Sequence, residues 1–212
     1  LRRSRGLGDV YKRQNKIISV LTIKDYKKSL DLAKCLNDSG IVNLDIRLRT
    51  QQSKKAIELI KNSNYKFNIG IGTVLSLEDL YFVKSSGIKY AYSPNTDVKI
   101  LNNANKLDIQ FIPGISNIDN VISAVKYNCK YLKYYPAEKS GGVSNLDLII
   151  AKSKIKNLKF IAMGGITSIN IKPYLKHKNV IGIGTSWIAE ESLIESSNWK
   201  EIRKRASVIL ES

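Results

Sequence analysis

The chain has 212 residues, a formal net charge of +17, two cysteines and a single histidine. This length is enough for one domain with a substantial core, and one histidine excludes a His-based metal site and a Ser-His-Asp triad. Cys35 and Cys129 form no CxxC motif, and the sequence shows no secretory signal or membrane-spanning apolar run, so we expect a cytoplasmic, reduced protein.

The first fourteen residues differ in character from the rest of the chain. They show no apolar period, and DVYKRQ at residues 9–14 looks like a translated sequencing adapter. We interpret residues 1–14 as an artefact outside the fold and expect the folded domain to span residues 15–212. The segment holds five basic residues and one acid, which leaves a charge of +13 for the rest. That charge is spread over lysine-rich helix faces without a basic stripe, so we expect no nucleic-acid partner.

Strand and helix patterns alternate from residue 17 to the end of the chain. Apolar, β-branched runs predict eight strands, at residues 17–23, 42–49, 67–74, 90–93, 109–112, 131–135, 159–163 and 180–183. Amphipathic segments predict a helix after each strand, at residues 26–37, 52–62, 77–85, 98–105, 118–127, 146–152, 169–176 and 199–210. Eight such units predict a single-domain α/β fold, a closed (β/α)8 TIM barrel, with a doubly wound open sheet as the alternative.

The second predicted strand alternates between an apolar and a polar face. Its polar face carries Asn43, Asp45, Arg47 and Arg49. If the apolar face packs under the helices, the polar face points into the barrel; a solvated edge strand gives the same alternation. An interior carboxylate beside arginines suits an anionic carbonyl compound, because arginine grips a carboxylate with two hydrogen bonds and Asp45 can move protons.

The sixth predicted strand places a lysine between aromatic side chains. Tyr131, Lys133 and Tyr135 share one face, which points either into the barrel or, on an edge strand, into solvent. In the interior, loss of hydration would lower the lysine pKa and leave a free amine that attacks carbonyl groups.

Glycine-rich ends follow the last two predicted strands. Gly164-Gly165 and Gly184-Thr185-Ser186 lie where (β/α)8 barrels often bind a phosphate through backbone N–H groups. We expect a phosphate site there.

These segments resemble the 2-keto-3-deoxy-6-phosphogluconate (KDPG) / 4-hydroxy-2-oxoglutarate (KHG) aldolase family. Seven motifs carry the resemblance in order along the chain: Leu48-Arg49-Thr50, Gly70-Ile71-Gly72-Thr73-Val74-Leu75, Ser93-Pro94, Ile112-Pro113-Gly114-Ile115-Ser116, Lys133-Tyr134-Tyr135-Pro136-Ala137-Glu138, Gly164-Gly165-Ile166 and Gly184-Thr185-Ser186-Trp187. The resemblance implies a class I Schiff-base aldolase of the Entner-Doudoroff pathway, homotrimeric, with no cofactor beyond the covalent imine. Its substrate would be a 2-keto-4-hydroxy acid, cleaved to pyruvate and either glyceraldehyde 3-phosphate or glyoxylate.

The resemblance also implies roles for individual residues. Lys133 is the imine-forming lysine, and Asp45 is the acid/base. The expected substrate-binding residues are Arg49 and Thr73 for the pyruvate carboxylate, Gly164, Gly165, Gly184 and Ser186 for the phosphate, and also Pro94 and Tyr135.

Several positions depart from the family pattern. Asp45 replaces a glutamate, Arg47 replaces a small polar residue, and Met163 replaces a threonine. We expect Arg47 to lower the pKa of Asp45 and weaken it as a base. The family's helix before the first strand is expected to be missing here. A catalytically weakened barrel that only binds pyruvate or a sugar phosphate is the alternative function.

Overall fold

The computed structural model describes residues 16–212. The expectations for residues 1–14 and for the missing first helix lie outside the described residues. Within this range, none of the helices combines the length and the apolar character needed to cross a membrane.

The described residues form a barrel of parallel strands. The strands are β1 Ile17–Leu21, β2 Asn43–Arg47, β3 Asn68–Gly72, β4 Tyr90–Tyr92, β5 Gln110–Ile112, β6 Gly114–Ile115, β7 Tyr131–Tyr134, β8 Lys159–Met163 and β9 Val180–Thr185. They are ordered β5-β4-β3-β2-β1-β9-β8-β7-β6, and every ladder is parallel. Since β1 pairs with both β2 and β9, the first and last strands are neighbours, as in a barrel. The predicted barrel is confirmed, and the doubly wound sheet is wrong.

The fifth predicted strand is divided at Pro113 into β5 and β6. Proline has no N–H to give to a ladder. The part before it pairs with β4, and the part after it pairs with β7. The Pro113 carbonyl still accepts a hydrogen bond from the Lys133 N–H at 2.9 Å. β5 and β6 are therefore two pieces of one barrel strand, and the barrel closes through this break.

Helices cover the outside of the barrel. They are α1 Ser29–Asp38, α2 Ser53–Lys61, α3 Leu77–Ser86, α4 Val98–Lys106, α5 Ile118–Lys126, α6 Gly142–Ser153, α7 Ile171–Lys176, α8 Glu191–Glu195 and α9 Trp199–Leu210. A 3-10 turn, Tyr26–Lys28, precedes α1. The helix α6 begins earlier than predicted, at Gly142, and the short helix α8 was not predicted, because five residues are too few to show a helical period.

The start of α3 shows how local sequence fixes an element boundary. The Asp79 N–H donates to the Ser76 hydroxyl at 3.1 Å, and the Ser76 N–H donates back to the Asp79 carboxylate at 3.0 Å. This capping box satisfies two N–H groups that the first helical turn leaves free. At the other end, Gly87 takes the left-handed conformation with φ 69°.

The core has two layers. The larger layer lies between strands and helices and includes Leu44 and Ile46 of β2. A smaller cluster fills the barrel interior and consists of Ile18, Val20, Tyr92, Ile112, Ile161 and Met163. Tyr131 and Tyr135 pack against this interior cluster. The polar face of β2 and the Lys133 face of β7 therefore point inward, as predicted, and the edge-strand alternatives are wrong.

Candidate active site

A cleft of about 470 Å³ opens at the carboxyl ends of the strands. Nine of the ten predicted site residues lie on its wall: Arg49, Thr73, Pro94, Lys133, Tyr135, Gly164, Gly165, Gly184 and Ser186. The tenth, Asp45, is completely buried in the barrel interior. The structure thus brings the predicted set together around one cleft.

Lys133 lies in the middle of β7, and its side chain is buried. The residue is 5% exposed, and its Nζ lies 4.9 Å from the centre of the Tyr135 ring and 6.0 Å from that of Tyr92. Burial lowers the Lys133 pKa, and the positive charges of Arg47 and Arg49 lower it further, whereas Asp45 acts in the opposite direction. The site therefore increases the fraction of the neutral amine, the form that attacks a carbonyl carbon.

Asp45 is a carboxyl group buried in the barrel interior. Its exposure is 0%, and neither carboxyl oxygen has a partner among residues 16–212. Burial raises its pKa. Lys133, Arg47 and Arg49 each act to lower it, but their combined effect is smaller than that of burial. Arg47 thus acts on the Asp45 pKa in the expected direction, but burial outweighs it, so the pKa of Asp45 is raised.

Two glycines of β3 make room for the interior side chains. A Cβ at Gly72 would lie 2.0 Å from Asp45 Oδ1, and a Cβ at Gly70 would lie 2.2 Å from the Tyr92 ring. In the sequence these glycines stand out only as part of one motif. Their spacing of two residues was the available signal, since it places both on one face of a strand, where glycine marks a close approach.

The Arg49 end of the cleft contains a strained residue. Thr73 has φ 60°, in the left-handed region that a β-branched side chain rarely adopts. The chain on either side is fixed, because β3 ends at Gly72 and the Val74 N–H donates to the Tyr92 carbonyl at 3.0 Å. Strain of this kind costs roughly 1–3 kcal/mol and is concentrated at functional sites.

The opposite end of the cleft is built from glycines. Gly164 and Gly165 both have positive φ, 100° and 80°. The Met163 side chain packs over Gly184, where an added Cβ would lie 2.6 Å from the methionine Cε. Lys139, which is not among the predicted site residues, adds a positive charge to the cleft wall. The only sequence signal for it was a basic residue directly after a motif.

A hydrogen-bonded pair supports the glycine end from behind. The Glu138 N–H donates to the Gly164 carbonyl at 3.1 Å. The Tyr174 hydroxyl donates to Glu138 Oε1 at 2.5 Å. Tyr174 comes from α7, so this contact ties that helix to the end of β7. No local sequence pattern indicates this contact, because the two residues are 36 positions apart in the chain.

A family model described as KDPG and KHG aldolase matches residues 9–205. The chain belongs to the KDPG and KHG aldolase family. It is 34% identical over 193 residues to a 2-dehydro-3-deoxy-phosphogluconate aldolase from Pseudoalteromonas atlantica, covering 91% of this chain and 89% of that one. It is 31% identical over 195 residues to the KHG/KDPG aldolase of Escherichia coli K12, covering 92% and 91%.

Solved structures of the family share the fold. A KDPG aldolase from Legionella pneumophila superposes with a TM-score of 0.88 at 32% identity, covering 95% of this chain and 97% of that one. That structure holds pyruvate captured at low pH as a covalent carbinolamine intermediate. The predicted family and the predicted class I aldolase are therefore confirmed. Residues 16–212 contain no group of three or more His, Cys, Asp or Glu side chains arranged to hold a metal ion.

Proposed function

We propose that this aldolase cleaves KDPG to pyruvate and glyceraldehyde 3-phosphate, and KHG to pyruvate and glyoxylate. The observation that carries the proposal is the buried amine of Lys133 on the wall of a cleft that also presents Arg49, above the buried carboxyl of Asp45. The names of the family relatives support these two substrates.

In the proposed mechanism, the Lys133 amine adds to the C2 ketone of the substrate. Water leaves, and a protonated imine forms. Asp45, directly or through a water, takes the proton of the C4 hydroxyl. The electrons of the O–H bond form the aldehyde carbonyl, and those of the C3–C4 bond pass to C3, giving an enamine. The aldehyde departs, C3 takes up a proton, and water hydrolyses the imine to pyruvate and free Lys133.

The cleft offers binding groups at both ends of such a substrate. Arg49 and Thr73 would hold the C1 carboxylate, and Pro94 and Tyr135 would form the wall beside the imine. The phosphate of KDPG would lie against the glycine end, at Gly164, Gly165, Gly184 and Ser186. The exposed Lys139 ammonium nearby favours an anion there.

This mechanism uses no cofactor, because the protonated imine itself accepts the electrons of the breaking bond.

We also propose a homotrimer. The exposed apolar side chains of Leu75, Leu77, Tyr81 and Val98 support an interface near α3, and the mass in solution measured by light scattering tests it. The free thiols of Cys35 and Cys129 suit a cytoplasmic location. We expect no nucleic-acid binding, which a salt titration with DNA checks.

Borohydride trapping tests the imine. The protein is incubated with pyruvate, reduced, and analysed by intact mass and peptide mapping. The expected adduct lies on Lys133 and disappears in Lys133→Met, whereas Lys130→Met, a change of an exposed lysine outside this cleft, keeps it. A folded protein that gives no adduct would rule out the imine mechanism. An adduct without aldehyde release from either substrate would favour the binding barrel, in which the shorter Asp45 no longer moves the proton.

A further inference from the structure

Arg47 is a half-buried cation that the proposed mechanism does not use. It follows Asp45 by two residues on the inward face of β2, and it lies on the cleft wall. Its Nε is hidden from solvent and has no hydrogen-bond partner among the described residues. An unsatisfied polar group of this kind is costly unless a ligand completes its hydrogen bonds.

The acidic side chains near the cleft mouth are paired with other bases. Glu190 lies on the cleft wall, but its Oε2 is 3.0 Å from Arg205 Nη1. Glu191 forms an ion pair with Lys24. Between residues 16 and 212, no carboxylate lies within ion-pair distance of Arg47. Arg47 therefore forms no ion pair within the described chain, and its guanidinium is available to an anionic ligand.

The position of Arg47 indicates which part of the substrate it reaches. Arg49 holds the C1 carboxylate in the proposed binding mode, and Asp45 acts on the C4 hydroxyl. Arg47 follows Asp45 by two residues on the inward face of β2, about 6.6 Å along the strand, and lies nearer the cleft than the buried Asp45 carboxyl. It is therefore placed to contact a group attached to C4, which is C5 of the substrate. In KHG, C5 is a carboxylate, whereas in KDPG it is an uncharged alcohol carbon.

The length of a five-carbon diacid also fits. The carboxyl carbons of an extended KHG lie about 5 Å apart, with C–C bonds of about 1.5 Å, and the side chains of Arg47 and Arg49, which both line the cleft, can converge on that distance. A guanidinium matches a carboxylate through two parallel hydrogen bonds.

The glycine end provides an independent observation in the same direction. Met163 occupies the space over Gly184 and presents a thioether, which cannot donate a hydrogen bond to a phosphate. That end of the cleft therefore offers fewer hydrogen-bond donors to the phosphate of a phosphorylated aldehyde, while Arg47 offers a guanidinium to the carboxylate of a carboxylated one.

We propose that Arg47 binds the carboxylate next to the reacting carbon of the aldehyde portion, and so directs this aldolase toward 2-keto-4-hydroxy dicarboxylates. The inference rests on the proposed function, since it needs the imine at Lys133 to set the position of C4.

The test uses 2-oxoglutarate, which has the same five-carbon diacid skeleton and forms an imine but has no C4 hydroxyl and cannot be cleaved. Wild type, Arg47→Thr and Arg47→Lys are titrated with pyruvate and, separately, with 2-oxoglutarate before borohydride reduction. In Arg47→Thr, we expect the 2-oxoglutarate concentration for half-maximal trapping to rise on the order of tenfold to a hundredfold. The value for pyruvate should change less than threefold. In Arg47→Lys, this 2-oxoglutarate concentration should lie between the values for wild type and Arg47→Thr. Lysine keeps the positive charge but cannot form two parallel hydrogen bonds to a carboxylate.

Turnover gives the second readout. In Arg47→Thr, kcat/KM for KHG should fall by a similar factor, and kcat/KM for KDPG should change little. Equal changes for both ketoacids in trapping, or for both substrates in turnover, would overturn the role of Arg47 and leave the proposed function standing. Failure of wild type to trap pyruvate would instead overturn the proposed function, and this inference with it.

Discussion

Replacing Gly72 with alanine should disable the acid/base group without touching the lysine. A Cβ at this position would lie 2.0 Å from Asp45 Oδ1, whereas ordinary contact begins at 3.4 Å. The carboxyl group must therefore move by about 1.4 Å. It is completely buried, so it can move only by displacing interior neighbours.

A displacement of this size has a calculable consequence. A misplacement of about 1 Å at a catalytic group can reduce the rate about 10²-fold, which corresponds to about 2.7 kcal/mol in the barrier. We expect kcat for KHG or KDPG cleavage to fall by about that factor in Gly72→Ala. Trapping of pyruvate on Lys133 should remain, because imine formation does not require Asp45 in its native position.

The assay couples pyruvate release to lactate dehydrogenase and follows NADH absorbance. Gly182→Ala is the matched control, since this glycine lies on β9 and an added Cβ there would be 3.3 Å from the flexible end of Ile18. Thermal unfolding of both variants shows whether they fold. A folded Gly72→Ala protein with kcat within twofold of wild type would show that the position of Asp45 does not limit the reaction.

Further predictions concern the pKa of Lys133, the hydrogen bond between Tyr174 and Glu138, the Met163 side chain and the effect of a chelator. Since burial holds the Lys133 pKa below 10.5, the rate of imine trapping should rise with pH and level off before pH 10.5; Asp45→Asn removes a charge that raises this pKa, so the inflection should move to lower pH. Tyr174→Phe removes the hydroxyl that donates to Glu138 and should lower the free energy of unfolding by about 1–3 kcal/mol in a urea titration. Met163→Thr should raise kcat/KM for KDPG relative to KHG in the coupled assay. Overnight dialysis against a chelator should leave turnover unchanged, and a loss restored by a divalent metal would contradict the cofactor-free mechanism.

Much of the fold could be predicted because strand and helix periods are local properties. The β-branched runs gave all the barrel strands, and Ser76 with Asp79 gave the start of α3. The division at Pro113 was visible only as a stop signal, because which neighbour each half pairs with depends on the closed barrel.

Local sequence patterns also predict part of the site, while the rest depends on contacts between distant residues. The motifs identified nine residues that share the cleft wall. The state of Asp45 could not be read from its neighbours in sequence, because its pKa depends on how completely the interior excludes water. The opposing effects of burial and the nearby arginines could be ranked only once their positions in the barrel were known.

The interior carboxyl and amine both destabilise the folded protein, and the proposed reaction needs both of them. Asp45 has no hydrogen-bond partner in the described chain, and Lys133 is buried beside aromatic rings, so both ionisable groups disfavour the folded state. In a library of variants selected only for cellular abundance, apolar side chains should rise in frequency at these two positions. Selection for growth on the substrate should remove the same variants. Attempts to stabilise this protein should therefore begin at the outer helices. Substitutions at these two interior positions would raise the stability but abolish substrate turnover.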